Sequence, residues 1–171
     1  MITKIENQTM PFTLSSYRVD EQVRQSILLL ENKWSEKNIG FEMDMDSIEF
    51  CAVEGLLGNV WSNLIDNAIK FSPEGEIIYI SLKGKDDMLS FKIANRGEPM
   101  SGETLKRIFE KFYQGDTSHK REGNGLGLAL VKKIVRVHGG SVSAVNTEDG
   151  LIEFTVNLPV KRSCERCCGS N

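Results

Sequence analysis

Residues 59–71 read NVWSNLIDNAIKF, and this stretch decides the fold. Its apolar residues recur at spacings of three and four, the period of a helix that packs one face on a core. They are Val60, Trp61, Leu64, Ile65, Ala68 and Phe71. Asn63, Asn67 and Lys70 recur at the same spacing on another face. Exposed helix surface usually carries Glu and Lys, so this polar row indicates a more specific use.

The chemistry of that row indicates a phosphate ligand with a metal ion. Amide oxygens are hard ligands that suit Mg²⁺, so Asn67 and Asn63 are the metal candidates. Lys70, at the end of the row, can meet a phosphate as a point charge. A plain solvated helix face is the alternative that this stretch alone leaves open.

Composition bounds the class of protein. A length of 171 residues suits one domain with short extensions, and 40% hydrophobic with 26% charged residues is ordinary for a soluble protein. A net charge of -3 gives no sign of a nucleic-acid surface. The sequence shows neither a bilayer-spanning apolar run nor a secretory leader.

Four cysteines are present, and three of them lie in the polar tail at residues 161–171. They are Cys51, Cys164, Cys167 and Cys168. We expect free thiols in a reducing compartment, with no disulfide framework for the core. A solvated tail is favoured over a zinc site, because no histidine or second cysteine cluster completes the ligand set.

Helices and strands alternate along the rest of the chain. Helices are expected at residues 20–38, 54–71, 103–111 and 126–138, and strands at 41–46, 76–83, 88–95, 141–146 and 151–158. In the last helix, Leu130, Ile134 and Val137 should face inward, and Gly139 with Gly140 should end it.

A glycine-rich turn, GNGLGL at residues 123–128, comes immediately before that last helix. Glycines let a backbone approach a phosphate, and a helix start offers unpaired N–H groups and a positive dipole end. The turn follows a long polar loop, so a Rossmann motif fits badly, and the Lys-Ser/Thr ending of a P-loop is absent. A glycine-rich helix entry without function is the alternative.

A third signal is NRGEPM at residues 95–100, at the end of a predicted strand. A polar side chain beside a glycine turn commonly recognises the edge of a planar ligand. Asn95 and Gly97 are the candidate residues.

Together these segments resemble the catalytic ATP-binding domain of sensor histidine kinases, in the GHKL superfamily. The resemblance rests on NxxxNAxKF, a strand ending in a polar residue and glycine, RIFEKFY, GxGLGLALVK and HGG, in that order. It covers about residues 19–159. It implies a two-layer α/β sandwich of the Bergerat type, with a mixed, mainly antiparallel sheet, helices on one face and a flexible ATP lid.

The same resemblance implies roles for single residues. Asn67 would coordinate Mg²⁺ with Asn63 alongside, Lys70 would contact phosphate, and Asn95 with Gly97 would receive the adenine. The glycine turn would hinge the lid and bring N–H groups to the phosphates; its residues are Gly123, Gly125, Leu126, Gly127 and Leu128. Phe109 and Phe112 would anchor the lid to the core.

Three positions depart from the family pattern. Asn95 stands where relatives usually have an aspartate, so a weaker bond to adenine is expected. Pro99 replaces the second glycine of that loop. Gln114 replaces an arginine that reaches the terminal phosphate in many relatives, and Lys120 or Arg121 would supply that catalytic charge instead. The alternative is that Lys120 and Arg121 are only solvent-exposed residues of the lid.

The resemblance also implies what lies around this chain. His138 is expected to cap a helix and His119 to be exposed, and neither resembles the phosphoacceptor box. Residues 1–18 would be a linker or the end of a dimerisation hairpin, residues 19–160 the ATP-binding domain, and residues 161–171 a tail. We expect a monomeric catalytic fragment of a membrane-anchored sensor. Its partners would be ATP, the phosphoacceptor histidine domain of the same protein and a cognate response regulator.

Other functions stay open at this stage. A nucleotide-binding pseudo-kinase acting by lid ordering would fit the neutral Asn95, and a serine-kinase-like relative is not excluded. An ATPase like the gyrase and chaperone relatives ranks last. Those relatives carry a glutamate base where Asn63 stands, and an amide cannot accept a proton from water at neutral pH.

Overall fold

The structure is a computed structural model that describes residues 14–113 and 126–160. Its strands, in chain order, are β1 (Ser15–Arg18), β2 (Gly40–Met45), β3 (Glu49–Ala52), β4 (Ile77–Lys85), β5 (Met88–Arg96), β6 (Ser141–Asn146) and β7 (Leu151–Pro159). Its helices are α1 (Val19–Leu29), α2 (Glu31–Glu36), α3 (Glu54–Phe71), α4 (Gly102–Arg107) and α5 (Gly127–Val137).

Five strands form the main sheet in the order β2-β4-β5-β7-β6. β2 runs parallel to β4, and every other neighbouring pair is antiparallel. The predicted class, a mixed and mainly antiparallel sheet with helices on one face, is confirmed. None of the helices in the described ranges is long and apolar enough to span a bilayer.

The core lies between one face of the sheet and the helices α1, α3 and α5. Alternate residues of the three central strands β4, β5 and β7 are buried, as a half-covered sheet requires. The α3 helix contributes Trp61, whose ring lies 4.7 Å from that of Phe91 between centroids. The apolar face of α3 predicted from the sequence is therefore the face that packs on the sheet.

Three predictions about the helices are wrong in detail. The helix predicted at residues 103–111 ends at Arg107, and turns follow it. The predicted helix at residues 20–38 is broken at Leu30, where the indole N–H of Trp34 donates to the carbonyl of Ile27 at 2.8 Å. That bond satisfies a carbonyl that the end of α1 leaves unpaired. Val137 was expected to face inward but is 52% exposed, because the buried stripe of α5 is completed by Val131 and Val135 instead.

A small ribbon of β1 and β3 was not predicted from the sequence. Both strands have four residues, too short for a clear alternation. Cys51 lies in β3 and is disulfide-bonded, so the expectation of free thiols is wrong for this residue. The tail cysteines fall outside the described residues.

Candidate functional site

The polar face of α3 carries three predicted site residues. Asn63, Asn67 and Lys70 are half-buried at the edge of the core. The Asn63 Nδ2 donates to the carbonyl of Asn59, one turn earlier, at 2.7 Å. Because the NH₂ group points to that carbonyl, the amide directs its Oδ1 the other way, toward the start of α5.

The start of α5 approaches this row closely. A Cβ built on Gly127 would lie 2.9 Å from the Asn63 Oδ1, a separation that real Cβ atoms do not adopt. Leu126 and Leu128, on either side, are partly buried and pack against the core. The structure thus brings Asn63 and Gly127 together. The first N–H groups of α5 lack intrahelical acceptors, and the helix starts beside Asn63.

The other predicted residues lie at the end of β5. Asn95 is 2% exposed, and its Nδ2 donates to the backbone carbonyl of Arg96 at 3.1 Å. A Cβ built on Gly97 would lie 3.3 Å from the carbonyl oxygen of Phe71 and 3.4 Å from the side chain of Ile152. Asn95 and Gly97 are therefore placed beside the last turn of α3.

The C-terminal end of α3 is held by a lysine that the sequence did not single out. The Lys37 Nζ donates to the carbonyls of Ile69, Lys70 and Ser72 at 2.6, 3.2 and 2.5 Å. Carbonyls at a helix end lack intrahelical donors, and a cation there also favours the helix dipole. No local pattern marks this contact, because it joins segments far apart in sequence.

The loop after Gly97 is fixed by a second unpredicted residue, Asn146 at the end of β6. Its Oδ1 accepts from the backbone N–H of Met100 at 3.0 Å, and its Nδ2 donates to the Met100 carbonyl at 2.7 Å. One amide thereby satisfies both backbone groups of Met100. Asn146 thereby ties the loop that follows β5 to the end of β6.

The predicted anchors of the lid are only partly placed as expected. Phe109 packs edge-on against Phe154, with ring centroids 6.0 Å apart, and so contacts the core. Phe112 is 69% exposed with a φ of 63°, so the prediction that it anchors on the core is wrong. Its backbone turns the chain outward just before Tyr113, whose hydroxyl contacts that of Thr104 at 3.1 Å.

Several predicted residues fall outside the described part of the chain, and their roles stay predictions. They are Gln114, His119, Lys120, Arg121, Gly123 and Gly125. His138 is the C-cap of α5, as predicted. Its Nε2 accepts from the N–H of Val53 at 3.3 Å, which joins the end of α5 to the start of α3.

The side-chain oxygens of this site fit a magnesium ion that takes few ligands from the protein and most from a bound phosphate compound and water. In the described ranges no group of three or more His, Cys, Asp or Glu side chains is arranged to hold a metal ion. The candidate oxygens are amides on α3, and Mg²⁺ commonly takes few protein ligands and completes its shell with phosphates and waters. A triphosphate beside Asn63 and Asn67 matches that requirement.

Comparison with known proteins agrees with this geometry. Residues 52–162 match the family described as histidine kinase-, DNA gyrase B- and HSP90-like ATPase. The heme sensor protein HssS of Staphylococcus aureus (strain JH9) is 31% identical over 159 residues. That match covers 93% of this chain but 34% of HssS, so the chain spans about a third of the relative's length.

Solved structures show the same fold. The catalytic domain of histidine kinase ThkA superposes with a TM-score of 0.78 at 27% identity, covering 86% of this chain and 96% of that one. Full-length ShkA in complex with AMPPNP gives 0.81 at 25% identity, covering 94% of this chain and 34% of ShkA. The mycobacterial sensor histidine kinase MprB gives 0.79 at 24% identity, covering 86% and 99%.

The fold and the site define a nucleotide-binding α/β sandwich. The chain belongs to the family of histidine kinase-, DNA gyrase B- and HSP90-like ATPases. Within that family it is an ATP-binding catalytic domain of the sensor histidine kinase type.

Proposed function

We propose that this domain binds Mg-ATP and donates the γ-phosphoryl group to a histidine on a separate dimerisation domain. The observation that carries the proposal is the close approach of Gly127 to the Asn63 Oδ1. It places helix-start N–H groups, which bind anions, beside amide oxygens, which bind Mg²⁺. The triphosphate is assigned to this end of the site.

The adenine is assigned to the end of β5. Asn95 supplies a polar edge there, and Gly97 keeps the chain close to the last turn of α3, where an added Cβ would lie 3.3 Å from the Phe71 carbonyl oxygen. The two assignments lie along one helix, since Gly97 contacts the last turn of α3 and Asn63 lies two turns before it. ATP would lie with its base at the C-terminal end of α3 and its phosphates toward the middle.

In the reaction, a histidine nitrogen forms a bond to the γ-phosphorus while the bond to the bridging oxygen breaks, and ADP leaves with that oxygen. The protein contributes position and charge rather than covalent chemistry. Bound Mg²⁺ would neutralise phosphate charge. Lys70 on α3 is assigned to a phosphate, and Lys120 or Arg121 to the charge that develops on the transferred group.

The surroundings of the domain are part of the proposal. Residues 19–160 would form the catalytic domain, and residues 1–18 the connection to the phosphoacceptor hairpin. A response regulator would take the phosphoryl group from that histidine. The full protein would be a membrane-anchored sensor with this domain in the cytoplasm. The proposal of a sensor is supported by the match to HssS, a heme sensor protein, of which this chain covers 34%.

Calorimetric titration with Mg-ATP tests the metal assignment. Asn67→Ala should abolish measurable binding, because it removes an amide oxygen from the proposed magnesium shell. Asn32→Ala, an exposed position on α2, is the matched control and should bind like the wild type. Wild-type affinity in Asn67→Ala would contradict the assignment.

Phosphoryl transfer distinguishes the kinase from a second candidate, a nucleotide-binding pseudo-kinase. The neutral Asn95 favours this alternative, because relatives usually carry a charged acceptor there. The domain is mixed with γ-labelled ATP and its own phosphoacceptor hairpin. Label on the hairpin supports the kinase, whereas ATP binding without label on the native hairpin supports the pseudo-kinase.

A further inference from the structure

The helix α3 begins without a cap of its own. Its N-cap residue is Val53, and among the described residues no side chain caps the helix there. Serine, threonine, aspartate or asparagine usually occupies this position, because its side-chain oxygen accepts from a backbone N–H of the first turn. The backbone N–H of Val53 itself donates to the Nε2 of His138, at the end of α5, over 3.3 Å. The start of α3 is therefore held from a second helix.

The two partners of the His138 ring determine its protonation state. A carbonyl oxygen only accepts, so the Nδ1, which lies 2.9 Å from the Ile134 carbonyl oxygen, must carry a hydrogen. A backbone N–H only donates, so the Nε2 that accepts from Val53 must carry none. Both bonds exist together only in the neutral ring. A proton added to Nε2 would place two donors against each other and break the bond to Val53.

The helices α3 and α5 lie side by side in opposite directions, with one contact at each end of their interface. At one end, a Cβ built on Gly127 would lie 2.9 Å from the Asn63 Oδ1, and at the other end His138 meets Val53. From Val53 to Asn63 the chain advances by ten residues of α3, and from Gly127 to His138 by eleven of α5. These lengths correspond to about 15 Å and about 16 Å of helix. Because they match, the contact at His138 sets how far α5 extends along α3.

The chain just after His138 is packed on the sheet. A Cβ built on Gly140 would overlap the carbonyl oxygen of Asn157 and lie 2.7 Å from the Leu158 side chain. The sheet thus fixes the end of α5 relative to β7, and the bond to Val53 fixes it relative to α3.

We propose that His138 is a positioning residue for the phosphate end of the site: its neutral ring ties the end of α5 to the start of α3 and so holds Gly127 beside Asn63. This inference rests on the proposed function, which assigns the triphosphate to these two helices. It makes nucleotide binding depend on pH, because a doubly protonated ring releases Val53. The N–H groups at the start of α5 then lose their fixed place beside the amide row.

The charged groups around His138 act on the ring but do not replace its acceptor nitrogen. Glu54 at the start of α3 and the C-terminal dipole of α5 favour a positive ring, whereas Arg136 and the N-terminal dipole of α3 oppose it. Tyr17 of β1 lies near Glu54, and burial together with that carboxylate raises the pKa of its phenol, so it stays neutral. The start of β6 and the ends of β3 and β7 carry uncharged residues.

Calorimetric titration with Mg-ATP at about pH 8 compares three variants with the wild type. His138→Gln offers a side-chain oxygen that accepts from the Val53 N–H and does not titrate, so it should bind like the wild type. His138→Leu has no acceptor and should bind about tenfold more weakly. His119→Gln removes the other histidine of the chain and is the matched control, with wild-type affinity expected.

The pH dependence gives a readout that a purely structural role would not change. Between about pH 8 and about pH 5.5, the wild type should lose about tenfold in affinity relative to His138→Gln, because only the wild-type ring gains a proton at this position. Comparison at each pH removes the contribution of ATP, whose terminal phosphate titrates in the same range. His119→Gln should keep the loss that the wild type shows.

A double-mutant cycle checks that His138 acts through the start of α5. Gly127→Ala should weaken ATP binding about tenfold in the wild type but about threefold or less in His138→Leu, since the released helix moves away from Asn63. Urea denaturation verifies that each variant is folded under the titration conditions. If His138→Leu does not fold, the pH comparison of the wild type with His138→Gln decides alone.

Four results would overturn the proposal. They are wild-type affinity in His138→Leu, affinity in His138→Gln as low as in His138→Leu, the same pH profile for the wild type and His138→Gln, and additive effects in the cycle. A wild type that binds no Mg-ATP at either pH would instead refute the proposed function, so the two failures are distinguishable.

Discussion

The two ends of the site on α3 are built differently. At the C-terminal end, Gly97 packs closely against the Phe71 carbonyl and the Ile152 side chain, and Lys37 and Asn146 hold the neighbouring backbone through hydrogen bonds. Toward the middle of the helix, Asn63 meets Gly127 through the tip of one half-buried side chain. The proposed base end is held by several hydrogen bonds to backbone groups, whereas the proposed phosphate end depends on two helices approaching each other.

This difference teaches where the site tolerates change. A rigid pocket has no freedom to accommodate added atoms, so substitutions there should act on binding through sterics. A contact made by a side-chain tip can be relieved by rotating that side chain, at the cost of its own hydrogen bond. The predictions below run from the largest expected effect to the smallest.

Gly97→Val should weaken ATP binding by about a hundredfold, measured by calorimetry. The added side chain would meet the Phe71 carbonyl, which cannot retreat because Lys37 holds the carbonyls on either side of it. Gly102→Val is the matched control, since nothing lies within 4 Å of a Cβ there. Equal affinity of the two variants would show that the base end is not rigid.

Lys37→Met should lower the free energy of unfolding by about 2 kcal/mol, measured by urea denaturation, because it leaves three carbonyls at the end of α3 without their charged donor. Lys33→Met is the control. Lys33 makes one exposed ion pair with Asp66 at 2.8 Å, and such pairs contribute about 0.5 kcal/mol. If Lys37→Met loses no more stability than Lys33→Met, the Lys37 hydrogen bonds do not stabilise the C-terminal end of α3.

Gly127→Ala should weaken ATP binding about tenfold, because the new methyl group pushes the Asn63 side chain aside and breaks the hydrogen bond from its Nδ2 to the Asn59 carbonyl. A double-mutant cycle with Asn63→Ala checks the cause. In the Asn63→Ala background the same change at Gly127 should cost little, since the clashing oxygen is gone. Additive effects would mean that the two residues do not act through each other.

Acid should lower the free energy of unfolding through Asp20, a buried residue of α1. Burial opposes ionisation of Asp20, but hydrogen bonds from Arg18 and Arg24 outweigh it, so its pKa lies below the ordinary value. The ionised Asp20 therefore stabilises the fold fully when the pH is above the pKa that its carboxyl group has in the unfolded chain. That stabilisation is lost as the pH falls through the lower pKa of the folded protein.

Urea denaturation between neutral pH and about pH 3 measures that loss. Asp20→Asn should flatten the pH dependence in this range, while its ATP affinity at neutral pH should stay unchanged. A marked loss of affinity would show that the region around α1 is coupled to the site.

Much of the fold was predictable because its elements are long and periodic. The α3 helix begins and ends where its apolar row and the following Ser72-Pro73 predict, and the strands of the β6–β7 hairpin follow their alternation. The break at Leu30 was not predictable, because it depends on the Trp34 indole reaching a carbonyl seven residues earlier. The short β1–β3 ribbon gave too few residues for a pattern.

The candidate site divides in the same way. Asn63, Asn67 and Lys70 were found from helical spacing, and Asn95 with Gly97 from their place at a strand end. Lys37 and Asn146 were missed because their partners are backbone groups far away in sequence, and a backbone carbonyl leaves no trace in the residue pattern.

By itself the sequence determined which residue types are available to a nucleotide, since amides, a lysine and glycines at these spacings already indicate magnesium and phosphate. Only the tertiary structure decided how they face one another: that the Asn63 oxygen lies against Gly127, and that the Arg96 carbonyl orients the amide of Asn95. The physical reason is that spacing fixes one face of one element, whereas the direction of a hydrogen bond depends on the neighbouring backbone that packing brings to it.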